Sequence, residues 1–183
     1  MTDTERSTPA PVPDDTGSVR GRRIVVGVDA SEGSTAALAW ASGEARARKI
    51  PVHAVLAWEF HPHWVDPGLG SMFPMGHQPT SEPPENEYAE VAAAVDRLLQ
   101  NAIRDARASD PDCVTDPVSI THETVEGHPA QVLLASVRAD DTMVVGSHGH
   151  GGFVGAMLGS ISQHVVAHSK CPVVVIPAPQ RTT

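Results

Sequence analysis

The 183-residue sequence lacks several features that whole classes of protein require. Its two cysteines, Cys113 and Cys171, are too few for a disulfide framework or a cysteine-rich metal site, so we expect a reducing, cytoplasmic location. No apolar run approaches the ~20 residues of a membrane-spanning helix, and the first residues lack the apolar core of a secretory signal. Basic residues are also scarce, because 13 lysines and arginines stand against 22 aspartates and glutamates, for a net charge of −9. This balance argues against nucleic-acid and anionic-membrane partners.

What the sequence does contain is an alternation of short apolar runs with segments of helical period. The apolar, largely β-branched runs predict five strands, at residues 22–29, 52–58, 118–125, 143–146 and 173–176. Apolar residues spaced by three or four predict helices at residues 35–49, 86–108, 129–138 and 161–169. The longest helix is expected to bury one apolar stripe, formed by Val91, Val95, Leu98, Ala102 and Ala106.

The alternation indicates a single α/β domain over residues 21–178. Residues 1–20 are rich in Pro, Ser, Thr and Asp and are expected to form a disordered tail. Residues 59–85 hold six prolines and predict a long loop, which in compact domains is usually functional or disordered. Residues 179–183 are expected to be a short C-terminal tail.

Strands that alternate with helices predict an open parallel sheet of five strands with helices on both faces. In such sheets ligands bind beyond the carboxyl ends of the strands, where the strand order reverses. The loops with the most suggestive chemistry follow the first strand, at residues 29–34, and the fourth strand, at residues 146–160. A strand order of 3-2-1-4-5 would place both loops at one crevice.

The second of these loops is dense in glycine. From the end of the fourth strand to Ser160 the sequence contains Gly146, Gly149, Gly151, Gly152, Gly155 and Gly159. Glycine lets an anion approach the backbone closely, and a helix start supplies N–H groups to a phosphate. The alternative is that these glycines serve only a tight turn and close packing of helix on sheet, although the strand–loop–helix context favours phosphate. Neither a GxxxxGK[ST] P-loop nor a GxGxxG fingerprint is present, so a phosphate would depend on backbone dipoles, hydroxyls and Mg²⁺.

The spacing of the loop resembles a known family. Gly146-Ser-His-Gly149, nine residues and then Gly159-Ser160 match the G-x2-G-x9-G-[ST] motif of the universal stress protein family. The first strand with its turn (24–31), the turn at 125–130 and the last strand (171–177) also resemble that family. The resemblance covers about residues 22–177. It implies the 3-2-1-4-5 sheet, an adenine nucleotide alpha hydrolase-like fold, and ATP binding in the members that carry the motif.

The resemblance also implies roles for particular residues. Gly146 would lie against the ribose, while Gly149, Gly159 and Ser160 would hold the phosphates. Asp29 matches an acidic residue placed near ribose and metal, and Ala57 falls near a position that lines the adenine. The remaining members of the expected nucleotide site are Val145, His148 and Ile161.

Several of these residues have a simpler interpretation that the sequence leaves open. Asp29 and Ser160 each precede or open a helix and could serve only as N-caps, although Ser31 and Ser34 can cap the first helix instead. The histidine pairs His61/His63, His148/His150 and His164/His168 suggest zinc, but no nearby cysteine or carboxylate completes a ligand set, which favours solvated or packing side chains. Arg22 and Arg23 are expected to be solvated strand ends.

We therefore expect an ATP-binding protein that uses Mg²⁺ and acts as a cytoplasmic regulator of a stress response. It is not expected to be an enzyme beyond slow ATP hydrolysis, because no catalytic acid or base is identifiable. The resemblance also implies a homodimer through the last strand, Val173–Ile176. The alternatives are an interaction module of the same fold with an empty pocket, serving an unidentified protein partner, and a small nucleotidyl-transferase-like enzyme.

Overall fold

The computed structural model describes residues 22–60, 85–149 and 158–178. The expected N-terminal tail, most of the proline-rich loop, the spacer glycines at 151, 152 and 155, and the tail at 179–183 lie outside the described residues. His61, His63 and His150 also lie outside them.

A single five-stranded parallel sheet organises the described residues, with the order β3-β2-β1-β4-β5. The strands are β1 (Ile24–Gly27), β2 (Val52–Trp58), β3 (Ile120–Glu126), β4 (Thr142–Gly146) and β5 (Val173–Ile176). At the centre Val26 pairs with Ala54 on one side and with Val144 on the other. This order confirms the prediction, and the reversal falls between β1 and β4.

In the described part of the chain four helices connect the strands, namely α1 (Glu32–Arg48), α2 (Glu85–Ala108), α3 (Pro129–Ser136) and α4 (Ser160–His168). Helix α1 begins earlier than predicted, because the Ser31 side chain accepts a hydrogen bond from the Ser34 N–H and caps the helix. Helix α3 ends two residues earlier than predicted, since Val137 has extended backbone. Within the described ranges, no helix combines the length and the apolar character needed to cross a membrane.

The central strands are buried on both faces, which places an apolar core on each side of the sheet. Ile24, Val26 and Val28 pack with α1 and α2, whereas Val25 packs with α3 and α4. The α2 stripe differs from the prediction by one residue, because Leu98 is 44% exposed and Leu99 is fully buried. Leu99, Ala102, Ile103 and Ala106 therefore form the buried face of α2.

Arg23 is not the solvated strand end that the sequence suggested. Its Nε lies 3.3 Å from Oδ2 of Asp141, and its Nη2 donates to the Ser136 carbonyl oxygen at 2.7 Å. Asp141 is only 1% exposed and also accepts a hydrogen bond from the Arg138 N–H at 2.9 Å. This buried carboxylate joins the start of β1 to the α3–β4 connection. The contact lies at the amino-terminal ends of the strands, opposite the carboxyl ends.

Candidate functional site

A cavity of about 470 Å³ opens at the carboxyl ends of the strands, where the strand order reverses. Its walls come from the ends of β1, β2 and β4, from the two loops that follow β1 and β4, and from the first turns of α3 and α4. The residues expected to form a nucleotide site all line it, namely Asp29, Ala57, Val145, Gly146, His148, Gly149, Gly159, Ser160 and Ile161. The fold thus brings together side chains that lie more than 130 residues apart in the sequence.

The turn after β1 holds Asp29 in place. Ala30 adopts a left-handed backbone with a φ of 62°, which bends the chain back toward the carboxylate. Oδ1 of Asp29 accepts hydrogen bonds from the Ser31 N–H at 3.0 Å and from the Ser31 hydroxyl at 2.6 Å. Because Ser31 is the N-cap of α1, Asp29 does not cap the helix, and its carboxylate instead lines the cavity.

Two glycines allow the β1 and β4 turns to touch through their backbones. A Cβ added to Gly146 would lie 2.8 Å from the carbonyl carbon of Gly33, and a Cβ on Gly33 would lie 2.6 Å from the His148 carbonyl oxygen. A Cβ on Gly149 would collide with Oδ2 of Asp29. The sequence analysis missed Gly33, whose only signal is a glycine in the first turn of a helix.

Backbone hydrogen bonds fix both ends of the glycine loop. The Ser147 N–H donates to the Ile176 carbonyl at 2.7 Å, and the Gly159 N–H donates to the Ser147 carbonyl at 2.7 Å. The buried Ser162 hydroxyl donates to the Gly146 carbonyl at 2.6 Å, which joins α4 to the end of β4. The loop therefore leaves and returns at one point of the cavity wall. Ser162 was also missed, although it lies two residues after Ser160.

Helix α4 points its N-terminus at the cavity. Gly159 is the N-cap and Ser160 the first helical residue, so the alternative of Ser160 as N-cap is wrong. Among the described residues no side chain caps this helix, and the first intrahelical bond runs from the Gln163 N–H to the Gly159 carbonyl. The N–H groups of a first helical turn have no intrahelical acceptor and carry the positive end of the helix dipole, which suits an anion.

His148 contributes a buried ring nitrogen beside the same turn. Its Nδ1 lies 3.1 Å from the Ser147 hydroxyl oxygen, which also accepts a hydrogen bond from the Ala178 N–H at 3.3 Å. Nε2 of His148 is buried and has no hydrogen-bond partner within the described part of the chain. A buried polar atom without a hydrogen-bond partner lowers the stability of the folded protein unless a ligand or water supplies that partner.

The opposite wall of the cavity is apolar. Val55 and Ala57 of β2, Leu133 of α3 and Val145 of β4 line it, and Val55, Leu133 and Val145 belong to the core on the α3 and α4 side. The cavity is therefore apolar at one end and rich in hydrogen-bond donors at the other.

The side chains that line the cavity fit Mg²⁺ only if the ion is held mainly by phosphates and waters, with one carboxylate from the protein. Within the described ranges no group of three or more His, Cys, Asp or Glu side chains could hold a metal ion. Mg²⁺ is commonly held by one or two carboxylates together with substrate phosphates and waters. Asp29, whose carboxylate lines the cavity, could supply the protein ligand in that mode.

Comparisons with known proteins bear on the family to which the chain belongs. The model of the universal stress protein family matches residues 21–177. A universal stress protein of Mycolicibacterium smegmatis is 31% identical over 153 residues, which are 84% of this chain and 45% of that protein. The chain thus spans less than half the length of this relative.

Solved structures show the same fold. The universal stress protein UspA from Lactobacillus plantarum superimposes with a TM-score of 0.58 at 19% identity, over 87% of this chain and 99% of that one. A universal stress protein in complex with cAMP superimposes with a TM-score of 0.53 at 21% identity, over 87% and 98% of the two chains. Because the family model matches residues 21–177, the chain belongs to the universal stress protein family.

Proposed function

We propose that this chain binds ATP with Mg²⁺ in the cavity and acts as a cytoplasmic, nucleotide-dependent regulator of a stress response. The observation that carries the proposal is the convergence of all nine expected residues on one cavity. They come from two strands, two loops and a helix start, and the cavity lies where parallel sheets bind nucleotides. The complex of a related universal stress protein with cAMP supports an adenine nucleotide as the ligand class.

The two ends of the cavity suit the two ends of a nucleotide. The apolar wall that includes Ala57 and Val145 would hold the adenine, and Gly146 would lie against the ribose. Gly149, Gly159 and Ser160 would hold the phosphates through backbone N–H groups and a hydroxyl, and Ile161 would add the next N–H of the helix turn. Asp29 would contact the ribose and a phosphate-bound Mg²⁺, and Nε2 of His148 would gain a hydrogen-bond partner.

We propose binding rather than catalysis as the function. The Asp29 carboxylate already accepts two hydrogen bonds from Ser31 at the end of the cavity where the phosphates would bind. These bonds favour a positioning role for Asp29 over proton transfer. We expect steady-state ATP hydrolysis to be slower than about 1 s⁻¹, the low end of ordinary enzyme rates. A faster rate that is lost in the site variants below would make the protein an ATPase.

The test is isothermal titration calorimetry with Mg·ATP, with AMP and cAMP as comparison ligands. Wild-type protein should bind with micromolar affinity, about −8 kcal/mol at 1 μM. The double variant Gly149→Val with Ser160→Ala should not bind, because the valine fills the space beside Asp29. Gly43→Ala is the matched control, since a Cβ at Gly43 meets no atom within 4 Å. Absence of heat with all three nucleotides, from protein with a native circular dichroism spectrum, would contradict the proposal.

A second candidate function is a dimeric interaction module, and strand β5 favours it. This strand lies at the edge of the sheet and consists of four half-buried apolar residues, Val173–Ile176. An exposed apolar edge can pair with a second copy. If this is the function, the mass from multi-angle light scattering should be that of a dimer, and Gly149→Val with Ser160→Ala should leave it unchanged. A nucleotide-dependent mass would instead favour the regulator.

A further inference from the structure

The outer face of α4 carries two histidines arranged for a common ligand. His164 and His168 are four residues apart, so their side chains leave the same face of the helix. Their rings are stacked, with centroids 4.4 Å apart and an angle of 23° between the ring planes. Both side chains are exposed, whereas Ser162 and Val165 form the buried face of this helix. The sequence alone left this pair as solvated side chains, because nothing in it reports the arrangement of the rings.

A hydrogen bond sets the tautomer of one ring. Nδ1 of His168 lies 2.9 Å from the carbonyl oxygen of His164. A carbonyl oxygen can only accept, so this hydrogen bond requires the proton on Nδ1. In the neutral ring the lone pair then lies on Nε2, the atom that commonly binds metals, and a hydrogen bond from the other nitrogen orients a metal-binding histidine.

Two imidazoles at this spacing suit a divalent transition-metal ion that binds nitrogen ligands well. Zinc–nitrogen bonds of about 2.0–2.1 Å place two nitrogen ligands roughly 3 Å apart. The exposed rings, with centroids 4.4 Å apart, would rotate about their side-chain bonds to bring one nitrogen each to a shared ion. His168 is the last residue of α4, and the C-terminal end of a helix favours positive charge. Waters would complete the coordination, because no group of three ligands exists among the described residues.

We propose that His164 and His168 form a two-histidine site for Zn²⁺, Ni²⁺ or Cu²⁺ on the outer face of α4. The metal would cross-link the last turn of a helix of only nine residues, and helices of that length are marginal without tertiary support. It binds the folded chain and stabilises it. At a free metal concentration about 100 times the Kd, the melting temperature should rise by roughly 5–10 °C.

The test is a titration of full-length, tag-free protein with ZnCl₂ and NiCl₂ by calorimetry at about pH 8, where imidazole is available as the neutral base. Wild-type protein should bind one metal per chain at this site. His164→Gln and His168→Gln should each weaken binding about a hundredfold, because a chelate gains that much over a single ligand. The double variant should show no binding at this site, because neither imidazole remains to hold the metal.

The controls separate this site from the other histidines. His122→Gln removes an exposed histidine on β3, and a variant with His61 and His63 both replaced by glutamine removes a second sequence pair. Neither should change the affinity of the strong site or the metal-dependent rise in melting temperature. Unchanged affinity in either single variant, or no wild-type binding of either metal, would each overturn the proposal.

Discussion

Gly146→Ala tests whether the contact between the two turns holds the site together. The added Cβ would lie 2.8 Å from the carbonyl carbon, 3.0 Å from the carbonyl oxygen and 3.2 Å from the Cα of Gly33. All three atoms belong to the backbone of the first turn of α1, so no side-chain rotation relieves the overlap. The turn and the strand end must move apart.

The size of the effect follows from two opposing contributions. Overpacking against a rigid neighbour costs about 1–3 kcal/mol. Replacing glycine with alanine also restricts the unfolded chain, which stabilises the protein by about 0.4–1 kcal/mol where the backbone allows it. The net loss in free energy of unfolding should be about 1–2 kcal/mol. For a chain of this size that lowers the melting temperature by about 2–8 °C.

Gly159→Ala is the matched control at the other end of the glycine loop. Its Cβ would lie 3.4 Å from the Ser147 carbonyl oxygen and 3.5 Å from the His148 Cα, which are ordinary contacts. Its stability should stay within about 0.5 kcal/mol of wild type. Calorimetric melting of both variants provides the stability assay. ATP titration of Gly146→Ala should also show binding weakened by about tenfold or more relative to wild type. Equal stability of the two variants would refute the steric reasoning.

Three further predictions concern the support of the fold and the site. Arg23→Met should lower the free energy of unfolding by about 2–3 kcal/mol in denaturant titrations, because it leaves the buried Asp141 carboxylate without its cation, and adding Asp141→Asn should restore part of that loss. The hydrogen bond from Arg46 lowers the pKa of the Asp110 carboxyl in the folded protein. The stability that this carboxylate contributes should therefore be complete above its unfolded pKa of about 3.9 and should be lost as the pH falls through the lower pKa of the folded state. The deficit of Asp110→Asn in urea titrations should therefore shrink over that acid range, and a pH-independent deficit would contradict the assignment. Ser31→Ala should cost about 1 kcal/mol by removing the α1 cap and should weaken ATP binding by releasing Asp29, which melting and calorimetry measure together.

Much of the architecture could be predicted because it depends on patterns local to the chain. The β-branched run at Ile24–Val26 and the helical spacing of Leu38, Ala41 and Ala45 identify their elements without reference to distant residues. The order of the strands followed from requiring two chemically suggestive loops to meet, and from the family resemblance. The helix boundaries were less accurate, because a single cap decides them, as Ser31 does for α1.

The errors arose where a residue's environment depends on a distant part of the chain. A helix turns by about 100° per residue, so Leu98 and Leu99 fit the apolar period of α2 almost equally well, and only packing on the sheet buries Leu99. Arg23 looked like a solvated strand end, because its partner Asp141 lies 118 residues further along the chain. Neither outcome has a local signal.

The sequence by itself determined the alternation of strands and helices, the glycine spacing from Gly146 to Ser160 and the family. Each of these depends on residues that are close together in the chain. The tertiary structure decided which of these residues share a cavity, that Gly33 meets Gly146 backbone to backbone, and that Ser162 bonds the end of β4. It also decided how the rings of His164 and His168 are stacked. The physical reason is that contact distances and hydrogen-bond geometry arise only when the sheet brings remote turns together, and the spacing of residues in the chain carries no information about them.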